Sequence, residues 1–300
     1  MRQYRGMDAT NLSASPTFAS RTPLHIGAIG LTVRDLDRLT TYYRDLLGFT
    51  VLDRSANSVR LGTAGVALLE LTRKPDALPD DAREAGLYHT AFLMPTRADL
   101  ARWILHAAQS RVPITGASDH DVSEAIYLED PEGNGIEVYS DRPRERWRHD
   151  GESIFQKTDP LDIDAIIREI DPATAAYPSA PEGLRIGHIH VRVGNVAKAE
   201  EFYLGTLGLD VTRRRSGATF MSSGGYHHHV AANVWHSDGA GARNEKRAGL
   251  AWFEIEVTDA ATLDTLGKRL SVAGASVSAI PGGITTADPW GTRVRFTTAG

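Results

Sequence analysis

The sequence predicts an α+β protein built from four βαβββ modules, and three observations carry that expectation. A strand-like apolar stretch, a polar cap and a helical stripe recur in that order four times along the 300 residues. Each predicted helix is apolar on one side only, so it needs a sheet to cover, and a single module cannot bury that face alone. The stretches that break the rhythm are the N-terminus and one internal segment. The expected divisions are therefore a flexible leader over 1–23, a first domain of modules one and two over 24–140, a connector with a short helix over 141–183, and a second domain of modules three and four over 184–300.

Module one opens with IGAIGLTV (Ile26 to Val33), then places Leu36, Leu39, Tyr43 and Leu46 at helical spacing before a stop at Gly48. Module two has LYHTAFLM (Leu87 to Met94), a cap at Thr96 with Asp99 three residues on, and a stripe of Leu100, Ile104 and Ala107. Module three has IGHIHVRV (Ile186 to Val193), a cap at Asn195, and Val196, Ala199, Tyr203 and Leu207 facing inward. Module four has LAWFEIEV (Leu250 to Val257) and the stripe Leu263, Leu266 and Leu270. These stripes read as core. The connector contains the short helix LDIDAIIREI and then Pro172, Pro178 and Pro181.

Composition narrows the function classes. With 33 Lys plus Arg against 38 Asp plus Glu the formal charge is -5, which offers no concentrated basic face for nucleic acid. The run Arg142, Arg144, Arg146, Arg148 is interleaved with Pro143, Glu145 and Trp147 and reads as a solvated linker. The absence of cysteine excludes disulfides, thiolate ligands and cysteine nucleophiles. No apolar run approaches the roughly 20 residues that cross a bilayer. The N-terminal stretch also lacks a signal-peptide core, so a cytoplasmic location without membrane partners is expected.

Aligning the modules on the residue that ends each first strand (Val33, Met94, Val193, Val257) and counting back five gives Ala28, His89, His188 and Trp252. Only modules two and three offer an imidazole there. Module two ends DPEGNGIEVY and module four DPWGTRVRF, so Glu137 and Arg295 occupy the same position after a common turn. A carboxylate between Ile136 and Val138 needs a counter-charge or a metal. His188 alone reads as a hydrogen-bonded strand histidine and Glu137 alone as an arginine partner; the shared register is what joins them with His89. Two histidines and one carboxylate fill one face of an octahedral ion and leave the opposite positions open, as in non-haem Fe(II) oxygenases. In GGYHHHVAANVW, strand alternation sends His227 and His229 to one face and His228 to the other, and at least one is expected to approach the metal cavity as ligand or proton carrier. His190 shares the face of His188 and is placed to orient a ligand or the substrate.

The strings IGHIHVRV, GGYHHHVAANVW and SEAIYLEDPEGNGIEVY make the chain resemble the vicinal oxygen chelate superfamily (glyoxalase/bleomycin resistance/dioxygenase fold), and within it the two-domain extradiol catechol-2,3-dioxygenase-like proteins. The resemblance covers about residues 24–140 and 184–298. It implies Fe(II), or alternatively Mn(II), held by His89, His188 and Glu137. It also implies an acid/base histidine in a pattern close to HDVAF, matched by His228 followed by His229, Val230, Ala231 and Ala232. A tyrosine ten positions before the metal glutamate matches Tyr127. A further histidine is expected nine positions before that tyrosine, where this chain has Ser118, with His120 nearby. The best-known members draw the whole site from modules three and four, which Trp252 and Arg295 exclude here. The arrangement of other relatives is therefore expected, with module one paired to four and module two to three. In the pair without a site, Glu70 and Arg295 are expected to form an ion pair.

The implied reaction opens an aromatic ring beside two adjacent hydroxyls, with O2 and a small aromatic diol as partners, in a protein that forms a homo-oligomer in many relatives. Two other readings stay open: a glyoxalase-like metal-dependent isomerase or lyase, which a fourth ligand from His228 or His229 would favour, and a non-catalytic protein that binds an aromatic compound or antibiotic.

Overall fold

In a computed structural model of the protein, residues 17–171, 173 and 175–298 are described; Pro172 lies outside them. The order is β1 (Leu24–Val33), α1 (Leu36–Leu47), β2 (Thr50–Arg54), β3 (Ser58–Thr63), β4 (Val66–Arg73), β5 (Gly86–Leu93), α2 (Arg97–Gln109), β6 (Gly116–Asp119), β7 (Ser123–Glu129) and β8 (Gly135–Asp141). The short elements β9 (His149–Asp150), β10 (Ser153–Ile154), β11 (Asp159–Pro160) and α3 (Ile163–Ile167) follow. Next come β12 (Arg185–Arg192), α4 (Val196–Glu200), β13 (Asp210–Arg215), β14 (Ala218–Ser222), β15 (Val230–Asn233) and β16 (Gly249–Val257). The last are α5 (Ala260–Val272), β17 (Ser278–Ile280), β18 (Gly283–Ala287) and β19 (Arg293–Thr298).

The helix limits are set by local chemistry. Thr96 and Asn195 accept hydrogen bonds from the backbone N–H groups of Asp99 and Lys198, closing the first turns of α2 and α4. Gly48 ends α1 at φ 68°, a conformation that costs glycine least. One departure is that α4 is only five residues long and runs on as a π-helical turn over Glu201–Thr206, yet Ala199, Tyr203 and Leu207 remain buried as the stripe requires.

Two mixed sheets result. The eight-stranded sheet has the order β17-β18-β19-β16-β1-β4-β3-β2, and the nine-stranded sheet β11-β6-β7-β8-β5-β12-β15-β14-β13. Each is centred on an antiparallel pair, β1 with β16 and β5 with β12, so the first and last quarters of the chain share one sheet and the middle quarters the other. A second contact crosses between the sheets: Tyr43 donates to Asp130 at 2.9 Å, and Tyr203 donates to Asp288 at 3.1 Å. Each aspartate also accepts backbone N–H groups of its own turn, Glu132 and Asn134 for one, Trp290 and Thr292 for the other. A helix tyrosine thus ties the DPEG and DPWG turns to the neighbouring sheet in the same way twice.

Alternation divides the middle sheet into two faces. Phe92, Ile126, Ile136, Val138, Ile189 and Val191 join the main hydrophobic core. The opposite face carries the polar residues of the site. In the outer sheet the corresponding concavity is filled: Trp252 packs so close to Gly30 that a Cβ there would lie 2.1 Å from the indole Nε1, and the Arg295 guanidinium lies 3.6 Å from the Trp252 ring centroid. This corrects the expected Glu70–Arg295 ion pair. Glu70 acts on Arg295 at longer range, but no direct ion pair joins them among the described residues, because the guanidinium stacks on the indole.

One further expectation changes in part. The arginine run is a solvated linker only in part: Arg144, Arg146 and Arg148 are exposed, but Arg142 pairs with Asp119 at 2.6 Å and Glu124 at 3.1 Å, Arg148 pairs with Asp121, and Trp147 is buried. The opposite charges on β6, β7 and their turn draw the run onto the sheet. Residues 1–16 of the expected leader lie outside the described residues; beyond them, Phe18 stacks edge-on with Trp147 and Tyr226, and Ala19 is buried. No described helix is long and apolar enough to cross a membrane.

Candidate metal centre

Strand register brings the site together. Tyr127 on β7 pairs with Glu137 on β8, Glu137 with Ala91 on β5, and Ala91 with His188 on β12, so these side chains form one row on one face. His89 pairs with His190 in the adjacent row, and that row continues to Ala231 and Phe220. His89 and His188 are therefore diagonal neighbours, and the small Ala91 between them and Glu137 leaves room for an ion.

His89, Glu137 and His188 are buried and place one ligand atom each within 4.8 Å of one another. Both Nε2 atoms lie 3.1 Å from the same Glu137 oxygen, Oε2. Burial pushes the Glu137 carboxyl up, but the two histidines outweigh it and hold the group well below the usual carboxylate range. Burial also lowers His188 to about 4 against the opposing pull of Glu137, leaving it neutral at neutral pH, as a ligand must be. His89 Nε2 is buried with no hydrogen-bond partner despite its approach to the carboxylate. An orphaned imidazole nitrogen, a second neutral imidazole and an ionised carboxylate aimed at one point fit a divalent metal, and we describe them as a His/His/Glu metal-binding site.

The ligands are themselves held. Tyr139 lies 3.3 Å from His188 Nδ1 and 2.6 Å from the Tyr226 hydroxyl, which in turn donates to Asp141 at 3.2 Å. Room for the Tyr139 hydroxyl exists only because residue 187 is glycine: a Cβ there would lie 1.8 Å from it. Gly187→Ala must displace Tyr139 and is expected to cost about 1–3 kcal/mol of stability. Thermal unfolding should register this as a midpoint several degrees lower, and an unchanged midpoint would show that Tyr139 yields freely.

The triad opens into a cavity of about 430 Å³. That volume suits a small molecule. His120, Tyr127, His190 and His228 all line it. Ser118, at the position where the resemblance expects a histidine, also lines the cavity, but it is His120 that meets Tyr127, at 2.6 Å from Nε2. His120 Nδ1 lies 2.7 Å from the Lys157 carbonyl, which can only accept, so the neutral ring carries its proton on Nδ1 and receives the Tyr127 hydroxyl at Nε2. Burial, followed by the Glu137 charge, holds the Tyr127 phenol well above its ordinary value.

The three consecutive histidines precede β15 rather than lying in it, and each has a different task. His229 is engaged on both nitrogens, by the Ser223 N–H and Ser222 hydroxyl at Nδ1 and by the Ala19 carbonyl and Thr22 hydroxyl at Nε2. It fastens the N-terminal segment and is not in the ligand group. His227 Nε2 meets Asp141 at 2.9 Å, and its Nδ1 meets His228 Nδ1 at 2.8 Å. The carboxylate fixes the proton of His227 on Nε2, so its Nδ1 accepts and His228 Nδ1 must donate. His228 is thereby left with a lone pair on Nε2. Its ring centroid lies 4.0 Å from that of His188, and burial, then the neighbouring imidazoles, hold it well below the ordinary histidine range. His190 accepts from Asn233 at 2.9 Å.

Sequence reasoning missed Asp141, Tyr139 and Tyr226 as the groups that hold these histidines. The alternation Glu137, Tyr139, Asp141 along β8 was the available signal, since it puts all three on the ligand face.

Comparison with known proteins agrees with this geometry. The model of the Glyoxalase/Bleomycin resistance protein/Dioxygenase superfamily matches residues 25–138 and 185–296. The chain is 36% identical over 270 residues to a catechol-2,3-dioxygenase of Bacillus subtilis (strain 168), covering 88% of this chain and 94% of that protein. It is 31% identical over 127 residues to biphenyl-2,3-diol 1,2-dioxygenase 3 of Rhodococcus globerulus, covering 37% of this chain and 60% of that one. Among solved structures, glyoxalase I from Zea mays superposes with a TM-score of 0.55 at 15% identity, covering 93% of this chain and 94% of that chain, which is a likeness of fold alone.

Proposed function

Because the chain belongs to the Glyoxalase/Bleomycin resistance protein/Dioxygenase superfamily, we propose that it is a non-haem Fe(II)-dependent extradiol dioxygenase, which opens a catechol-type ring beside its two hydroxyls. The observation that carries this reading is the buried His89, Glu137, His188 group at the floor of a small-molecule cavity. On the same reading each sheet is a pair of βαβββ modules, the sequence divides at 24–140 and 184–300 around the 141–183 segment, and Fe(II) is preferred with Mn(II) as the alternative.

His89, His188 and Glu137 would hold the ion on one face, and the metal, when bound, supplies the electronic coupling between diol and O2 that the direct reaction lacks. The protein supplies proton control and orientation. His228, with its free Nε2 lone pair, takes the proton of a diol hydroxyl and returns it later. Tyr127 donates its hydroxyl hydrogen bond to His120, so its oxygen is left to accept from the substrate while the His120 contact holds the phenol in place. His190, held by Asn233, fixes one edge of the ring site beside Tyr88 and Trp235. A glyoxalase-like fourth ligand has no counterpart here: among the described residues the group has three members, and both nitrogens of His229 are committed elsewhere.

Anaerobic loading with Fe(II), followed by catechol and O2, should give stoichiometric oxygen uptake together with a yellow ring-fission product. Conversion of substrate without oxygen consumption would replace this reading with the isomerase one.

A further inference from the structure

Resting on that reading, we propose that Arg215 and Gln156 form an acceptor-binding subsite, and that the substrate is an aromatic diol with an acidic substituent. Both residues line the cavity that holds the metal group. Arg215 closes β13, and its guanidinium reaches across to the 141–183 segment, donating to the Gln156 carbonyl at 2.9 Å and the Thr158 hydroxyl at 3.1 Å. Those contacts use neutral acceptors. No carboxylate lies within ion-pair distance of Arg215 among the described residues, whereas the adjacent Arg214 pairs with Glu200 at 2.8 Å. A half-buried guanidinium left without a counter-charge beside a ligand cavity is costly unless an anion completes it.

Gln156 gives a second, independent sign. The residue is 6% exposed, and its side-chain amide Nε2 is buried with no hydrogen-bond partner. A buried donor left unsatisfied in a cavity wall calls for an acceptor from the ligand. Guanidinium and amide together offer charged and neutral N–H donors, the combination that receives a carboxylate. The aromatic walls, Tyr88, Phe220 and Trp235, belong to the same cavity and suit the ring that would bear it. Tyr127 lines the same cavity as Arg215, so the acid group and the diol would share one ligand site.

The test compares Fe(II)-loaded wild type with Arg215→Gln, Arg215→Lys and Gln156→Leu on 3,4-dihydroxyphenylacetate and on 4-methylcatechol, a neutral diol. Wild type should favour the acid in kcat/KM by about tenfold or more, the scale of one charge-assisted hydrogen-bond set. Arg215→Gln should abolish that preference by raising KM for the acid, Gln156→Leu should reduce it, and Arg215→Lys should restore part of it. A wild type that prefers the neutral diol, or an Arg215→Gln protein that loses both substrates equally, overturns the proposal, since the latter marks a purely structural role. The second readout is binding of 4-hydroxyphenylacetate, which is not a diol, followed by tryptophan fluorescence. If no diol is cleaved, the dioxygenase reading fails while this measurement still decides the subsite: binding lost in Arg215→Gln supports it, and equal binding in both proteins refutes it.

Discussion

Glu137→Ala should leave a folded protein that no longer retains iron. Glu137 is the one anionic member of the group, and both imidazole nitrogens approach its Oε2 at 3.1 Å, so its removal takes away the charge and the point on which the ligands converge. Outer partners of metal ligands already cost 10- to 100-fold when removed, and loss of a direct carboxylate should exceed about a hundredfold in affinity. Metal content after gel filtration should drop from near one ion per chain to a trace, with oxygen uptake falling in step. Thermal unfolding separates this from misfolding. A ligand at a thousand times its dissociation constant stabilises by about 4 kcal/mol, so wild type should gain several degrees on addition of Zn(II), a redox-inert probe, and Glu137→Ala should gain none. The metal-free variant should be somewhat less stable than metal-free wild type, because the two histidines outweigh the desolvation of Glu137 and that favourable interaction is lost, so the response to Zn(II) rather than the starting midpoint is the deciding readout. Iron retained at the wild-type level would contradict the ligand assignment.

The parts of this site that were legible in the sequence are those fixed by local rules. Period-two alternation put Glu137 opposite Ile136 and Val138, helix caps at Thr96 and Asn195 set where α2 and α4 begin, and comparison of IGHIHVRV with LYHTAFLM found both histidines. The pairing of β5 with β12 was implied by the resemblance, once Trp252 and Arg295 had set aside the arrangement of the best-known members. What could not be read depends on where distant segments meet. Arg142 looks solvated until Asp119 and Glu124 are seen beside it, and Glu70 and Arg295 look paired until Trp252 takes the guanidinium. Gln156 and Thr158 lie in a segment with no periodicity, yet β11 adds to the sheet edge beside β6 and carries them to the cavity. His120 shows the same limit: it stands two positions away from where the resemblance expects a histidine, but Asp121 adopts φ 71° and the turn between β6 and β7 returns the ring to the tyrosine.

Loss of His228 and loss of Asp141 should damage the same step, and neither should release the metal. His228→Ala removes the proposed proton carrier, an effect expected at about 10²- to 10⁴-fold in kcat. Asp141 is remote from the ion but decides where the protons sit, because it holds His227 Nε2–H at 2.9 Å and so compels His228 to donate from Nδ1. Asp141→Asn keeps the shape and removes the charge. The His227 proton is then free to move to Nδ1, where it faces the His228 Nδ1–H, and one of the two rings must change tautomer or turn. If His228 responds by carrying its proton on Nε2, the lone pair that should accept the substrate proton is gone. A kcat reduced about 10-fold or more is expected, with iron content and KM near wild type. Tyr226 also donates to Asp141 at 3.2 Å, so a general loosening of the wall is the competing explanation, and a double-mutant cycle distinguishes the two. If Asp141 acts through His228, then Asp141→Asn should add little to the defect of His228→Ala. Additive losses, or a thermal midpoint lowered in proportion to the lost activity, would assign Asp141 to packing alone.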